Sequence, residues 1–180
     1  MITIFTDGSS KGNPGPGGWG AIVAYEKNEK SELRSKNHEW VTELGGRGEH
    51  TTNNRMELAA VIQALAYLDS SFITHDSITL HTDSEYIVKG ITEWVNGWQR
   101  NNWRTAAKKP VLNQELWQEL LSVVSGKKIK WVVVKGHSGV PANERCDLIA
   151  TTFADNAHFE LYSGLRSDYF VSFQAHGAFI

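Results

Sequence analysis

The fold is decided by residues 2–18, which read Ile2-Thr3-Ile4-Phe5-Thr6-Asp7-Gly8-Ser9-Ser10-Lys11-Gly12-Asn13-Pro14-Gly15-Pro16-Gly17-Gly18. The alternating pattern of residues 2–7 predicts a β-strand. The glycine- and proline-rich run behind it predicts a tight connection. Residues 19–25 and 38–45 have the composition of two further strands, joined through an exposed hairpin at 26–37. This order favours three antiparallel leading strands.

Further along the chain the pattern alternates between helix and strand. Leucine and isoleucine recur at helical spacing over residues 54–68, with Thr52 or Asn53 as the candidate cap. We predict strands at 77–83 and 129–135, and helices at 84–98, at 142–157 and from an Asn113 cap to Leu121. The order β-β-β-α-β-α-α-β-α predicts an α/β (mixed α+β) domain. Its five-stranded mixed sheet would have three antiparallel strands followed by two parallel strands, with helices on both faces.

The domain division follows from where this pattern ends. Residues 1–157 are predicted to form a single domain, and residues 158–180 are predicted to form a C-terminal tail. The tail is rich in Phe, Tyr, Leu and Val, so we expect it to dock on the domain or on a partner.

Composition narrows the class of protein. The hydrophobic fraction of 41% is typical of a globular chain, and its apolar runs are much shorter than the ~20 residues of a membrane helix. The single cysteine, Cys146, cannot form an intramolecular disulfide, so we expect a cytoplasmic protein without a membrane anchor. The net charge is −2, yet residues 94–136 hold eight basic and two acidic side chains, a net +6, together with five of the seven tryptophans. Interleaved basic and aromatic residues suit a nucleic-acid backbone, although a solvated basic face is the simpler explanation when charge alone is considered.

Four carboxylates lie at the ends of predicted elements. Asp7 and Asp83 end strands, whereas Glu57 and Asp147 lie in the first turns of helices. Each by itself has a structural explanation, such as pairing with a helix dipole. Together, if the two strands are parallel neighbours, they would repel one another unless cations neutralised them. The set therefore predicts a site for two hard divalent ions, which act on phosphoryl groups.

Five stretches resemble bacterial type 1 ribonuclease H, in the family's order and spacing. They are residues 6–9 with 12–18, residues 52–58, residues 82–84, residues 94–116, and residues 135–139 followed by 143–147. The resemblance covers roughly residues 1–157. It implies an endoribonuclease that hydrolyses the RNA strand of RNA–DNA hybrids and leaves 5′-phosphate and 3′-hydroxyl ends. It also implies that Asp7, Glu57, Asp83 and Asp147 bind two Mg²⁺ ions, with Mn²⁺ as a substitute, and that His137 shuttles a proton or aids product release.

The same resemblance implies the substrate contacts. Gly8 and Glu57 would contact the RNA 2′-hydroxyls, which DNA lacks. Asn13, Asn53 and Asn54 would contact the hybrid in its minor groove. The remaining predicted contacts are in the basic protrusion that grips the DNA strand: Trp94, Arg100, Trp103, Arg104, Lys108 and Lys109. We expect a monomer without an obligate protein partner.

Two features depart from the family pattern. Glu85 stands where an amide side chain is common, so we hypothesise that it weakens hybrid affinity or alters metal preference. Gln99, Asn101 and Asn102 replace basic residues of the protrusion, which predicts a shallower dependence of binding on salt.

Three alternatives stay open at this point. One is another nuclease or strand transferase of the same fold superfamily, for which cleavage of duplex DNA would be diagnostic. The second is a catalytically weak hybrid-binding module. The third is a Mg²⁺-dependent hydrolase of small molecules, which the basic, tryptophan-rich window does not support.

Overall fold

A computed structural model describes residues 1–31, 34–71, 77–136 and 139–174, with the backbone alone over 28–31 and 34–37. These residues form one mixed sheet with helices on both faces. No helix among them combines the length and the apolar character needed to cross a membrane.

The sheet has the strand order β5-β4-β1-β2-β3-β6. The strands are β1 (Ile2–Ser10), β2 (Gly15–Ser31), β3 (Arg34–Thr51), β4 (Ile78–Thr82), β5 (Ile129–Val133) and β6 (Ser163–Leu165). β1, β2 and β3 are antiparallel, and β4 and β5 run parallel to β1. The predicted meander and the predicted parallel pair are therefore confirmed, whereas the turn of the predicted hairpin, residues 32–33, lies outside the described residues.

The prediction of five strands is wrong by one. β6 comes from the tail and pairs antiparallel with β3 through Trp40↔Leu165 and Thr42↔Ser163. A strand of three residues that includes Gly164 is too short to show an alternating pattern. It forms because the outer edge of β3 presents unpaired backbone groups that a neighbouring segment can bond.

The helices are α1 (Asn53–Ser70), α2 (Glu85–Lys89), α3 (Val95–Arg100), α4 (Gln114–Val124) and α5 (Pro141–Ala154). The helix predicted at 84–98 is interrupted by a π-helical turn at Gly90–Trp94. Gly90 lies against the Trp117 ring so closely that an added Cβ would be 2.1 Å from the ring carbon Cη2. The last helix ends three residues earlier than predicted, and Asn156 beyond it has a positive φ of 57°.

Two predicted capping residues precede their helices without capping them through a side-chain hydrogen bond. Thr52 is extended at the start of α1. Asn113 has a left-handed φ of 58° at the start of α4. Its side chain instead accepts a hydrogen bond from Arg55 at 3.3 Å and donates one to the Tyr86 hydroxyl at 3.4 Å.

The strand alternation divides the core between the two faces of the sheet. Ile2, Ile4 and Leu80 face α1 and α4, which contribute Leu58 and Trp117 to the first cluster. The second cluster, on the opposite face, contains Phe5, Ile22, Val41, Ala142, Cys146, Tyr169 and Val171. The predicted placement of helices on both faces is confirmed. The predicted docking of the tail is confirmed for its described residues, 158–174, since Tyr169 and Val171 are buried in the second cluster.

Candidate active site and nucleic-acid interface

Three of the four predicted carboxylates meet at one edge of the sheet. Thr6 and Thr82 are register partners of the parallel strands β1 and β4, so the residues that follow them, Asp7 and Asp83, are neighbours. Glu57 reaches them from the first turns of α1. One oxygen from each of the three carboxylates lies within 4.8 Å of the others. This separation allows all three to bind the same cation or an adjacent pair.

Gly8 makes this convergence possible. A Cβ at this position would lie 2.2 Å from the Glu57 backbone nitrogen, so only glycine lets the start of α1 approach β1 this closely. The Gly8 N–H donates to Asp7 Oδ1 at 2.7 Å. The Asn53 amide donates to Glu57 Oε1 at 3.1 Å. Both residues therefore orient carboxylates, a role that the sequence did not reveal for Asn53.

Asp7 and Glu57 are buried, and Asp83 is half-buried beside them. Burial, followed by the charges of Asp83 and Asp147, raises the pKa of Asp7 from 3.8 to about 8. Burial and the same kind of repulsion from Asp7 and Asp83 raise the pKa of Glu57 well above its usual value. Within the described chain, Glu57 Oε2 and Asp83 Oδ1 accept no hydrogen bond. Oxygen ligands with free lone pairs and mutual repulsion suit a hard divalent cation, which would remove the repulsion.

Asp147 is near this cluster without being part of it. It lies on α5, is half-buried, and its charge contributes to the raised pKa of Asp7. Its oxygens are not among those within 4.8 Å of one another. Its distance from the cluster depends on where α5 packs on the sheet. The predicted proton shuttle His137 lies outside the described residues.

The predicted protrusion is built on packed tryptophans with basic residues outside. Trp94 packs between Tyr86 and Trp98, with ring centroids 6.2 and 5.8 Å apart, and Trp98 meets Trp117 edge-on at 5.4 Å. Trp103 is half-buried, and Arg100, Arg104, Lys108 and Lys109 are exposed. The guanidinium of Arg104 donates to the Lys108 carbonyl at 2.9 Å, which holds the basic loop together. The tryptophans thus form a rigid base for an exposed basic surface.

The other predicted contact residues lie on the surface in different settings. Asn13 and Asn54 are exposed. Glu85 is also exposed, and its carboxylate accepts a hydrogen bond from Lys89 one helical turn later at 2.5 Å. That ion pair lowers the pKa of Glu85, so the residue stays charged at neutral pH. Its charge is directed to Lys89, and it does not belong to the group of three carboxylates.

Two groups of functional side chains were missed by the sequence analysis. One links α1 to the protrusion: Arg55 bonds Glu115 at 2.5 Å, and the Trp117 indole donates to Tyr86 at 2.9 Å. The other is Glu43, whose carboxylate is completely buried and paired with Arg145. The sequence signal that indicates its burial is its position two residues after Val41, which places it on the inward side of the strand.

Comparison with known proteins agrees with this geometry. The RNase H family model matches residues 1–155. A protein named Ribonuclease H from Bradyrhizobium sp. (strain ORS 278) is 51% identical over 150 residues, which span 83% of this chain and 87% of that protein. A protein of the same name from Polaromonas sp. (strain JS666) is 50% identical over 159 residues, 87% of this chain and 90% of that one.

Solved structures share the fold. LC9-RNase H1, described as a type 1 RNase H with the type 2 active-site motif, is 30% identical with a TM-score of 0.71, over 91% of this chain and 77% of that one. LC11-RNase H1, solved in complex with an RNA/DNA hybrid, is 23% identical with a TM-score of 0.60, over 87% and 98% of the two chains. Since the family match runs through every strand and helix that carries one of the four carboxylates, this chain belongs to the RNase H family.

Proposed function

We propose that this protein is an endoribonuclease that hydrolyses the RNA strand of RNA–DNA hybrids at the edge where Asp7, Glu57 and Asp83 meet. The observation that carries the proposal is the clustering of these three carboxylates, with one oxygen of each within 4.8 Å of the others. Membership in the family and about 50% identity to proteins named Ribonuclease H support the reaction.

The chemistry of the donor set fits two Mg²⁺ ions, with Mn²⁺ as a substitute. Asp7, Glu57 and Asp83 would hold them with Asp147, and bound divalent ions would supply an activated water and stabilise the leaving 3′ oxygen. The protein must deliver these carboxylates deprotonated. The Gly8 N–H donates to one oxygen of Asp7, and the Asn53 amide donates to one oxygen of Glu57, so the other oxygen of each carboxylate would be available to bind an ion. His137, four residues before Pro141 in the sequence, is proposed as the group that moves a proton or aids product release.

The substrate would lie across the carboxylate edge with its DNA strand on the protrusion. Gly8, Asn13, Asn53 and Asn54 are proposed to contact the RNA strand and its 2′-hydroxyls, which donate and accept hydrogen bonds. The residues proposed to contact the DNA strand are Trp94, Arg100, Trp103, Arg104, Lys108 and Lys109. The exposed basic residues neutralise phosphates, and the packed tryptophans keep them in place.

The proposed functional unit is one chain. Residues 1–157 supply all four carboxylates and the basic protrusion, so a second copy or a protein partner is not required to complete the site. The one cysteine, Cys146, is a free, buried thiol, as expected in a reducing cytoplasm. We therefore propose a cytoplasmic monomer, which sedimentation of the purified protein would test.

The deciding experiment is cleavage of an end-labelled RNA–DNA hybrid with Mg²⁺, beside single-stranded RNA, duplex RNA and duplex DNA. We expect cleavage of the hybrid alone, lost in EDTA and in Asp7→Asn. The matched control is Asp155→Asn, the same chemical change at an exposed aspartate. Cleavage of duplex DNA would instead favour another nuclease of this fold. Binding of the hybrid without cleavage in Mg²⁺ or in Mn²⁺ would favour a binding module and refute the proposal.

A further inference from the structure

Helix α5 packs on an unusually smooth part of the sheet. Beneath it lie Gly18, Gly20 and Gly45 of β2 and β3, where an added Cβ would be 2.2 to 2.5 Å from atoms of α5. Close packing of this kind brings the helix backbone onto the strands. Glycine at these positions also means that no strand side chain lies between α5 and the sheet to fix the lateral position of the helix. Helices are normally held in place by side-chain ridges that pack into grooves of the neighbouring element. The position of α5 along the sheet must therefore be fixed by other contacts.

One such contact is a buried carboxylate that joins three parts of the chain. Glu43 of β3 accepts hydrogen bonds from Arg145 of α5 at 2.7 and 3.0 Å. It also accepts one from the Tyr169 hydroxyl at 2.6 Å and one from the Tyr162 backbone N–H at 3.0 Å, both in the tail. Burial alone would raise the pKa of Glu43, but these four donors outweigh it and lower the pKa. The carboxylate is thus fully bonded and charged.

The tail also covers the side chain of Arg145, the cationic partner of Glu43. The Arg145 guanidinium lies 4.5 Å from the centroid of the Phe159 ring and 5.4 Å from that of Phe170. Tyr169 packs on Phe170 at 5.7 Å. The rings shield the ion pair from water, and a desolvated ion pair with good geometry is strong and directional.

Arg145 and Asp147 flank the same buried residue of α5. Cys146 between them is fully buried against the sheet. Because successive residues of an α-helix are about 100° apart, the side chains on either side of Cys146 leave the helix on opposite flanks. Arg145 is held by β3 and by the rings of the tail on one flank, and Asp147 leaves α5 on the other. Turning or sliding α5 at Arg145 therefore moves Asp147 relative to Asp7.

We propose that the tail segment 159–173 is a positioning element of the active site, which acts through Tyr169, Glu43 and Arg145 to place Asp147 at the metal-binding edge. The inference rests on the proposed function, which makes that edge the metal-binding site. Asp147 is the one predicted ligand outside the group of three carboxylates, so its placement is the most sensitive to α5. Tyr169, Glu43 and Arg145 are positioning residues, and none of them belongs to the group of three.

The test compares two single-atom changes in the tail of the full chain. Tyr169→Phe removes the hydroxyl that bonds Glu43. The matched control, Ser163→Ala, removes a β6 hydroxyl that bonds the Trp40 indole and the Thr42 hydroxyl, each at 3.2 Å, and keeps the four hydrogen bonds to Glu43. The first readout is the dissociation constant of Mn²⁺, measured by electron paramagnetic resonance on metal-free protein without substrate. The second is the Mg²⁺ concentration that gives half-maximal hybrid cleavage.

We expect Tyr169→Phe to weaken Mn²⁺ binding and raise the half-maximal Mg²⁺ concentration, each roughly tenfold, as when a support of a metal ligand is lost. Ser163→Ala should match the wild type in both. Unchanged metal dependence in folded Tyr169→Phe, or an equal shift in Ser163→Ala, would overturn the proposal. If Tyr169→Phe does not fold, Phe159→Leu decides by the same comparison, since it removes a ring beside Arg145 and keeps every bond to Glu43. A wild type that cuts no hybrid would refute the proposed function, whereas the Mn²⁺ titration would still decide the positioning role.

Discussion

Replacing Asp7 by asparagine is expected to stabilise the metal-free protein while abolishing cleavage. Burial and the charges of Asp83 and Asp147 raise the pKa of Asp7 from 3.8 to about 8 in the folded state. The folded state thus favours the protonated carboxyl, and ionisation destabilises it. Stability is full below pH 3.8 and is lost as the pH rises from 3.8 towards 8. Asparagine has nearly the same shape, keeps an oxygen for the Gly8 N–H, and has no charge to lose.

The size of the effect follows from the two pKa values. At pH 7 the wild-type carboxyl costs about 4 kcal/mol of folding free energy, and at pH 4 about 0.5 kcal/mol. For a chain of 180 residues, 4 kcal/mol corresponds to a rise in Tm of about 10 °C. The advantage of the variant should therefore grow steadily between pH 4 and pH 7.

The assay is thermal unfolding by circular dichroism in EDTA, from pH 4 to pH 8, repeated at pH 7 with Mg²⁺. Bound Mg²⁺ stabilises the wild type by mass action, so the difference in Tm should shrink when it is added. Asp155→Asn at the exposed ion pair with Lys11 should show no comparable pH-dependent gain. A Tm for Asp7→Asn equal to the wild type in EDTA at pH 7 would refute the reasoning that burial and neighbouring carboxylates disfavour the charged form of Asp7 without metal.

Three further predictions concern other parts of the structure. Gly8→Ala should lower kcat for hybrid cleavage by about 100-fold or more, because the added Cβ must displace the Glu57 backbone and ångström shifts of catalytic groups have effects of this size. The control is Gly97→Ala, where an added Cβ meets no described atom within 4 Å, and this variant should keep the wild-type rate of hybrid cleavage. Glu43→Gln should reduce the free energy of unfolding in urea by about 3–5 kcal/mol at pH 7, because it removes the buried partner of the Arg145 guanidinium, which is itself only 16% exposed. The pKa of Glu43 is lowered, so this loss should shrink as the pH falls below 4.5, and a loss that is constant down to pH 3 would contradict the ion-pair explanation. Glu85→Gln should lower KM for the hybrid by up to about threefold, as expected for an exposed charge, without changing the Mg²⁺ requirement; an unchanged or higher KM would show that this carboxylate does not oppose substrate binding.

Local patterns in the sequence were enough to predict most of the fold. Alternation over residues 2–7 and helical spacing over 54–68 depend on neighbours in the chain, so β1 and α1 were recognised without tertiary information. Strand ends also predicted the meeting of Asp7 with Asp83, because parallel strands place their carboxyl ends at one edge.

The tertiary structure decided what depends on contacts between distant segments. β6 exists because the edge of β3 was available to bond it, and a segment of three residues carries no pattern of its own. Glu43 shares the inward side of β3 with Val41, but a carboxylate is stable there only because Arg145 and Tyr169, more than 100 residues away, supply its donors. The separation of Asp147 from the other three carboxylates is likewise set by the packing of α5 on a glycine surface. Residue types determine which groups are able to do chemistry, whereas packing across the sheet determines how near to one another they lie.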